Sequence, residues 1–286
     1  MAQASIPVDL LNPGQVFACM GFLEAADVLL GGAEGKFEWT NKTKFCISAK
    51  GNRNPVEAVL EFLFRAQCKR LAPKGDSDPT PKKSQTNKQT SDALPDQVET
   101  FPTAEADYLA LPLRFEQNDH VLHVSHWCDA SSRNSFKLFA GQQRSDAIAE
   151  QMLDGVKKLW NERHDDLLKD PLGLTIPLGG SSFKMDARKA WTTIDAGFSP
   201  DEQGHAVEAS PVVEILAAIG LEHARPDEFA TRQVRYGVWQ DFLPPMLARA
   251  ALGAVHVGVP LRIFQFTLRL AGKNKIVTFA QEETNL

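Results

Sequence analysis

The chain has 286 residues, a formal net charge of −5, and a composition that is 43% hydrophobic and 23% charged. That length supplies one large core or two smaller ones, and that balance excludes disordered and fibrous classes. The acidic charge excludes a free-standing binder of the strongly basic kind, but leaves room for a subunit that is positive only in patches.

Cys19, Cys46, Cys68 and Cys128 lie far apart without a C-x-x-C pair, which is neither a disulfide framework nor a zinc site. The start, MAQASIPVDL, lacks the basic and apolar regions of a secretory leader, and no apolar run is expected to reach a membrane span. A reducing cytoplasm, with no membrane partner, is the expected compartment.

Asn12 as N-cap, Pro13 at the first helical position and Gln15 as a capping-box amide announce the first helix. Val16, Phe17, Met20, Leu23 and Leu30 mark its expected apolar face, and Gly31-Gly32 its stop. KFEWTNKTKFCISAKGNR, from Lys36, reads as a β-hairpin around Asn41. Asn54-Pro55 with Glu57 opens a second helix, with Val56, Val59, Leu60, Leu63 and Phe64 inward. Arg65, Lys69 and Arg70 are expected towards its end, where cations complement the dipole.

From Ala72 to about Ala104 the chain is polar and proline-bearing, with too little apolar surface to offset the entropy of ordering. It is expected to be a flexible insertion, residues 72–104. It separates an N-terminal α/β lobe (1–71) from a C-terminal α+β lobe (105–286), or interrupts one domain. YLALPLRFE and HVLHVSHW then form an expected hairpin joined at Gln117-Asn118-Asp119, with Pro112 placing its first strand at an edge or bulge. A helix capped by Ser145, with Ile148, Met152, Val156 and Leu159 on one side, is expected to reach about Lys169.

SSFKMDARKAW reads as a strand whose alternation turns Lys184 and Asp186 outward. Ser210-Pro211 caps an apolar helix, Pro244-Pro245 begins a short one, and RIFQFTLRLAG-KNK-IVTFAQ closes the chain as a hairpin. Helices and antiparallel hairpins mix without a β-α-β rhythm, so the expected fold class is α+β. The Asn12-Pro13 and Ser210-Pro211 helices carry Gly21-Phe22 and Gly220-Leu221 at spacings one residue apart. Internal duplication and shared helix-start chemistry both account for that likeness.

His120, His126 and Cys128 would share one face of a strand and His123 the other, with no matching ligand pair elsewhere, so no metal is expected. His164-Asp165-Asp166 looks like the dyad of metal-dependent phosphohydrolases, but the further ligands such a site needs are missing and a solvated helix face is the ordinary reading. Gly179-Gly180-Ser181-Ser182 could offer amides to a phosphate, yet no P-loop lysine follows. Without a nucleophile elbow, P-loop or G-x-G-x-x-G, no catalytic residue, no cofactor and no enzymatic activity are expected.

Four basic groups each lie near a tryptophan. Lys36, Lys42, Lys44, Lys50 and Arg53 surround Trp39; Arg133, Lys137 and Arg144 follow Trp127; Lys184, Arg188 and Lys189 precede Trp191; Arg232 and Arg235 precede Trp239. Such groups suit phosphate contacts with base or ribose stacking, whereas the plain alternative makes the tryptophans core anchors and the cations a solvated exterior.

IPVDLLNPGQVFACMGFLEAADVLLGGAEGKFEW, the pair HW followed by FKLFAGQQRSD, and SSFKMDARKAWTTIDAGFSPDEQ resemble segments of the small large-subunit-type protein of type I-U (I-G) CRISPR effector complexes. The resemblance covers roughly a third of the chain, and the NPGQ helix and AGQQ element are its most specific parts. It implies a non-catalytic Cascade subunit, partnered by other Cascade subunits, crRNA, target DNA and the helicase-nuclease. The implied role is contact with the guide 5′ end and with target DNA, including the flanking motif, and support for helicase-nuclease recruitment, in antiviral defence. Guide–target pairing would then read sequence while protein reads shape and backbone. Arg133, Lys137 and Arg144 would meet phosphates, and Gln142 and Gln143 backbone or base edges.

Two further readings stay open. One is a guide-RNA-binding backbone subunit of ferredoxin-like fold, for which a continuous β-α-β-β-α-β order cannot be traced in the sequence. The other is a protein–protein adaptor with tryptophan anchors; an unrecognised nuclease stands behind both.

Overall fold

The computed structural model describes residues 1–75, 94–101, 108–128, 136–139, 143–178, 182–189, 207–271 and 274–283. The first part runs β1 (Ala2–Pro7), α1 (Pro13–Leu30), β2 (Ala33–Glu38), β3 (Lys44–Ala49), α2 (Pro55–Arg65) and β4 (Gln67–Pro73). β5 (Asp96–Val98), β6 (Leu113–Gln117), β7 (His120–Val124), α3 (Ser145–Glu162), α4 (His164–Lys169) and β8 (Ile176–Pro177) follow. The last part is β9 (Glu208–Ala209), α5 (Pro211–Gly220), β10 (Asp227–Ala230), β11 (Gln233–Trp239), α6 (Pro245–Leu252), β12 (Leu261–Ala271), β13 (Asn274–Val277) and β14 (Gln281–Glu282). The fold is α+β, with four antiparallel or mixed sheets among the described residues set around a helical centre.

Helix α1 starts as its residues dictate. Asn12 Oδ1 accepts from the Gly14 amide at 3.1 Å, and Gly31 ends the helix at φ 71°. Gln15 reaches past Asn12, and its Oε1 accepts from the Asp9 amide at 2.7 Å. The expected one-sided apolar face is corrected: every residue from Pro13 to Ala26 is buried. At 18 residues α1 is also long and apolar enough, by length and composition, to cross a membrane, contrary to expectation. Here α2, α5, α6, β2, β3 and β7 enclose it.

The tightest element contact is α1 on α5. A methyl on Gly21 would lie 2.0 Å from the Leu216 carbonyl oxygen, and one on Gly220 would lie 2.2 Å from that of Phe17. Each glycine thus receives the carbonyl four residues before its counterpart, a reciprocal crossing possible only without side chains at both points. Each helix is followed by a hairpin and a shorter helix: β2-β3-α2 after α1, and β10-β11-α6 after α5. The halves differ in the third strand. β1 precedes α1 and pairs with β3, whereas β12 follows α6 and pairs with β11.

The order β1-α1-β2-β3-α2-β4, untraceable in the sequence, is present, and its first sheet runs β1-β3-β2. β4 does not complete that sheet. It joins β5-β4-β6-β7 instead, through Gln67↔Glu116 and Leu71↔Asp96. Lys69 and Arg70 therefore sit on a strand rather than at the end of α2. The ordered chain also extends to Gly75 and resumes before β5, inside the range expected to be a flexible insertion; residues 76–93 lie outside the described residues. Pro112 precedes β6, which is an interior strand flanked by β4 and β7, not an edge. Asn118, at φ 52°, makes the expected turn to β7.

Further boundaries move. Arg144, not Ser145, is the N-cap of α3, and the Ser145 hydroxyl donates to the Leu111 carbonyl at 2.9 Å. Helix α3 ends at Glu162, and Arg163 at φ −140° separates it from α4. The closing hairpin pairs Ala271 with Asn274, so Lys275 is a strand residue and not part of the turn. Buried residues from both sides of the expected insertion form one contiguous core.

Candidate nucleic-acid interface

The outer face of β1-β3-β2 alternates with its buried face, and here Lys44 lies 2.7 Å from Glu38. Lys42 and Lys50 are exposed, Arg53 pairs with Glu61, and Trp39 is half-buried with the Arg262 guanidinium 5.5 Å from its ring centre. Arg262 is in turn held by Glu282. Much of this group's charge is thus matched locally.

The segment Phe183–Lys189 is no strand. It crosses the N-termini of α1 and α5 and ends in a 3-10 turn, Ala187–Lys189. Asp186, expected to be outward, is fully enclosed. Its carboxylate accepts from Asn12 Nδ2 at 3.0 Å, the Ser210 amide at 2.9 Å and the Arg188 guanidinium at 2.7 Å. Glu214, on the first turn of α5, accepts from the Met185 and Asp186 amides at 3.3 and 3.0 Å. Burial raises the Glu214 pKa and the nearby Asp186 charge adds to this, only partly offset by those amides.

Arg188 also donates to the Leu172 and Gly173 carbonyls at 2.8 and 3.0 Å, and Lys189 to the Leu178 carbonyl at 2.9 Å. Both were candidate phosphate contacts; both are tied into the fold. Gly14 admits the Met185 carbonyl, which would lie 2.2 Å from any methyl there. The NPGQ and KMDAR motifs therefore interlock with each other.

The third group divides. Arg144 Nε donates to Asp146 at 3.0 Å, and Asp146 also meets the buried Arg70 at 3.1 Å. Gln143 is half-buried. Arg133, Gln142 and Trp191 lie outside the described residues, as do Gly179, Gly180 and Ser181. Trp127 and Trp239 are core residues, donating to the Leu111 and Gly35 carbonyls at 3.4 and 2.7 Å, so neither is a stacking platform. Arg235 is held by Glu283 at 2.7 Å and Asp227 at 3.5 Å.

What the fold does assemble is an edge around β13. The Lys275 amide donates to the Leu138 carbonyl at 3.1 Å, and the Val277 amide to the Lys184 carbonyl at 3.3 Å. These bonds bring the Lys137 and Lys184 segments beside β13. On the other side the Leu268 amide donates to the Arg232 carbonyl at 2.8 Å. Burial lowers the Lys275 pKa; Glu228 opposes the shift and the Arg232 charge reinforces it. Glu228 accepts from the Arg232 amide at 3.0 Å, so one carboxylate borders this edge too. Arg269, on β12, is exposed and pairs with Ile276, so it lies on the opposite sheet face from Lys275. Lys137, Lys184 and Arg232 were expected from sequence. Lys275 and Arg269 were missed, although the alternation of the closing hairpin held the signal.

Of the three histidines, His126 lies in a buried hydrogen-bonded cluster with Glu222. Glu222 accepts from the Ser125 amide and hydroxyl at 2.5 and 2.6 Å and the His126 amide at 2.9 Å, with His126 Nδ1 at 3.8 Å. Burial raises the Glu222 pKa, but the hydrogen bonds from His126 and Ser125 outweigh it and hold the group at about 2. A carboxyl lowered on folding adds stability that is complete above its unfolded value and lost as pH falls through its folded one. About 3 kcal/mol should therefore disappear between about pH 4 and pH 2. Urea titrations across that range should show the loss in the native chain and much less of it in Glu222→Gln. Among the described residues, no three His, Cys, Asp or Glu side chains are grouped to hold a metal ion.

Comparison with known proteins finds no matching family, no matching curated protein and no matching solved structure.

Proposed function

We propose that the chain is a non-catalytic nucleic-acid-binding subunit of a crRNA-guided CRISPR surveillance complex. It contacts the guide 5′ end and target DNA, including the flanking motif, and supports recruitment of the helicase-nuclease. The observation that carries the nucleic-acid part is the edge where the closing hairpin is hydrogen-bonded to the segments that carry Lys137, Lys184 and Arg232, with Lys275 on the hairpin itself. A row of cations on an otherwise acidic protein suits the backbone of a nucleic acid whose remaining charge is met by neighbouring subunits. The resemblance of the NPGQ, FKLFAGQQRSD and KMDAR segments supplies the complex.

The β1-α1-β2-β3-α2-β4 order favours one second reading, a guide-RNA-binding backbone subunit, although β4 leaves the first sheet. Salt dependence tests both against a protein adaptor. With Lys184→Glu and Arg232→Glu combined, binding of target DNA or guide RNA by the assembled complex should weaken. The log–log salt slope should become shallower by about 2. Unchanged affinity and slope would remove the edge from the nucleic-acid interface.

A further inference from the structure

The sheet β10-β11-β12-β13, with β14 on β12, has two unlike faces. Val234, Tyr236, Val238, Phe264, Phe266 and Leu268 enter the core. The opposite face reads across the strands as Arg235–Gln265–Gln281 and then Gln233–Thr267, with Arg269 next along β12. Helix α6 covers this face at Gly237, where a methyl would lie 2.3 Å from the Ala251 carbonyl oxygen. Beyond Arg235 the face forms a groove of about 440 Å³, lined among others by Gln233, Gln265, Gln281, Thr267, Arg269 and Phe279.

The chemistry of that lining is specific. Three carboxamides present donors and acceptors together, the pattern that pairs with a base edge. Arg269 adds a cation, and no carboxylate is among the described lining residues. Phe279 is 52% exposed at the groove, an aromatic face not used by the core. Across the sheet Phe229 is 39% exposed, with the Arg235 guanidinium 4.5 Å over its ring. An apolar protein segment would strand these amides, whereas an unpaired nucleotide satisfies them and stacks on the ring. Gln233, in the groove, adjoins Arg232 in the chain, so the groove and the cationic edge meet at the start of β11.

We propose that this sheet face binds single-stranded nucleic acid, with Phe279 stacking on an unpaired base, Gln233, Gln265 and Gln281 meeting base edges, and Arg269 meeting a phosphate. The proposal rests on the nucleic-acid reading above and names the form of the ligand. Sheets that bind single strands elsewhere use the same division between aromatic stacking and charge.

The test is fluorescence anisotropy of the full-length chain with a short labelled single strand of mixed sequence and with the matching duplex. Phe279→Ala should weaken single-strand binding about tenfold, leaving duplex binding and the salt slope unchanged. Phe279→Tyr should restore it. Lys184→Glu with Arg232→Glu should instead weaken both ligands and flatten the slope. If Phe279→Ala binds the single strand like the native chain while the charge variant does not, the groove is overturned and the cationic edge stands. If the native chain binds neither ligand, both fall.

Discussion

Gly21→Ala should destabilise the protein by about 3 kcal/mol or more, beyond the usual cost of overpacking, because the obstacle is backbone. The added methyl would lie 2.0 Å from the Leu216 carbonyl oxygen and 2.8 Å from its carbon, and neither can rotate away as a side chain could. Relief requires α1 and α5 to separate. Their contact is the centre of the core, where Phe17 also meets Phe136, Tyr236 and Phe266 at 5.8, 5.7 and 6.1 Å. Moving α1 therefore disturbs both halves. Gly220→Ala meets the Phe17 carbonyl oxygen at 2.2 Å and should cost a similar amount. The double variant should cost less than the sum, since one separation of the helices relieves both clashes. Urea denaturation of the two single variants and the double gives the comparison; a Gly21→Ala midpoint equal to that of the native chain would contradict the crossing.

Asp186→Ala should cost about 3 to 5 kcal/mol, the range for breaking a buried charged network by removing one partner. The substitution leaves the Ser210 amide and Asn12 Nδ2 without an acceptor at the start of both central helices. It also removes the carboxylate that the Arg188 guanidinium meets alongside the Leu172 and Gly173 carbonyls. Asp186→Asn keeps the shape and an acceptor but removes the charge, so its loss should be smaller. Arg188→Ala should lower stability as well, through an unpaired Asp186. If instead Arg188→Ala left the melting temperature intact and weakened nucleic-acid binding, Arg188 would return to the interface. The distinction matters because the motif that carries part of the family resemblance is built from these residues. Their role in this fold is to join two helix starts.

Cys68, whose sequence setting resembles the apolar pattern of a helix, lies half-buried on strand β4 instead. Cys19 is buried in α1, and burial raises the thiol pKa there and at Cys68, which makes both poor nucleophiles.

The sequence by itself determined the elements whose signals are local. Asn12-Pro13, Asn54-Pro55 and Ser210-Pro211 each begin a helix because a short side chain caps amides two or three residues away. Asn118 and the alternating strands mark their hairpins for the same reason. The α+β class follows from those elements together. Burial of polar groups was decided only by the tertiary structure. Asp186 alternates with apolar neighbours just as an exposed strand residue would, and its enclosure depends on Asn12, 174 residues away. The same holds for Lys184, Arg188 and Lys189, neighbouring cations in the sequence of which two are bound to carbonyls and one borders the cationic edge. That edge exists because β13 hydrogen-bonds to the segments at Leu138 and Lys184, an arrangement no local pattern encodes. Local propensity acts over a few residues, whereas desolvation and charge proximity depend on which distant segments the core brings together.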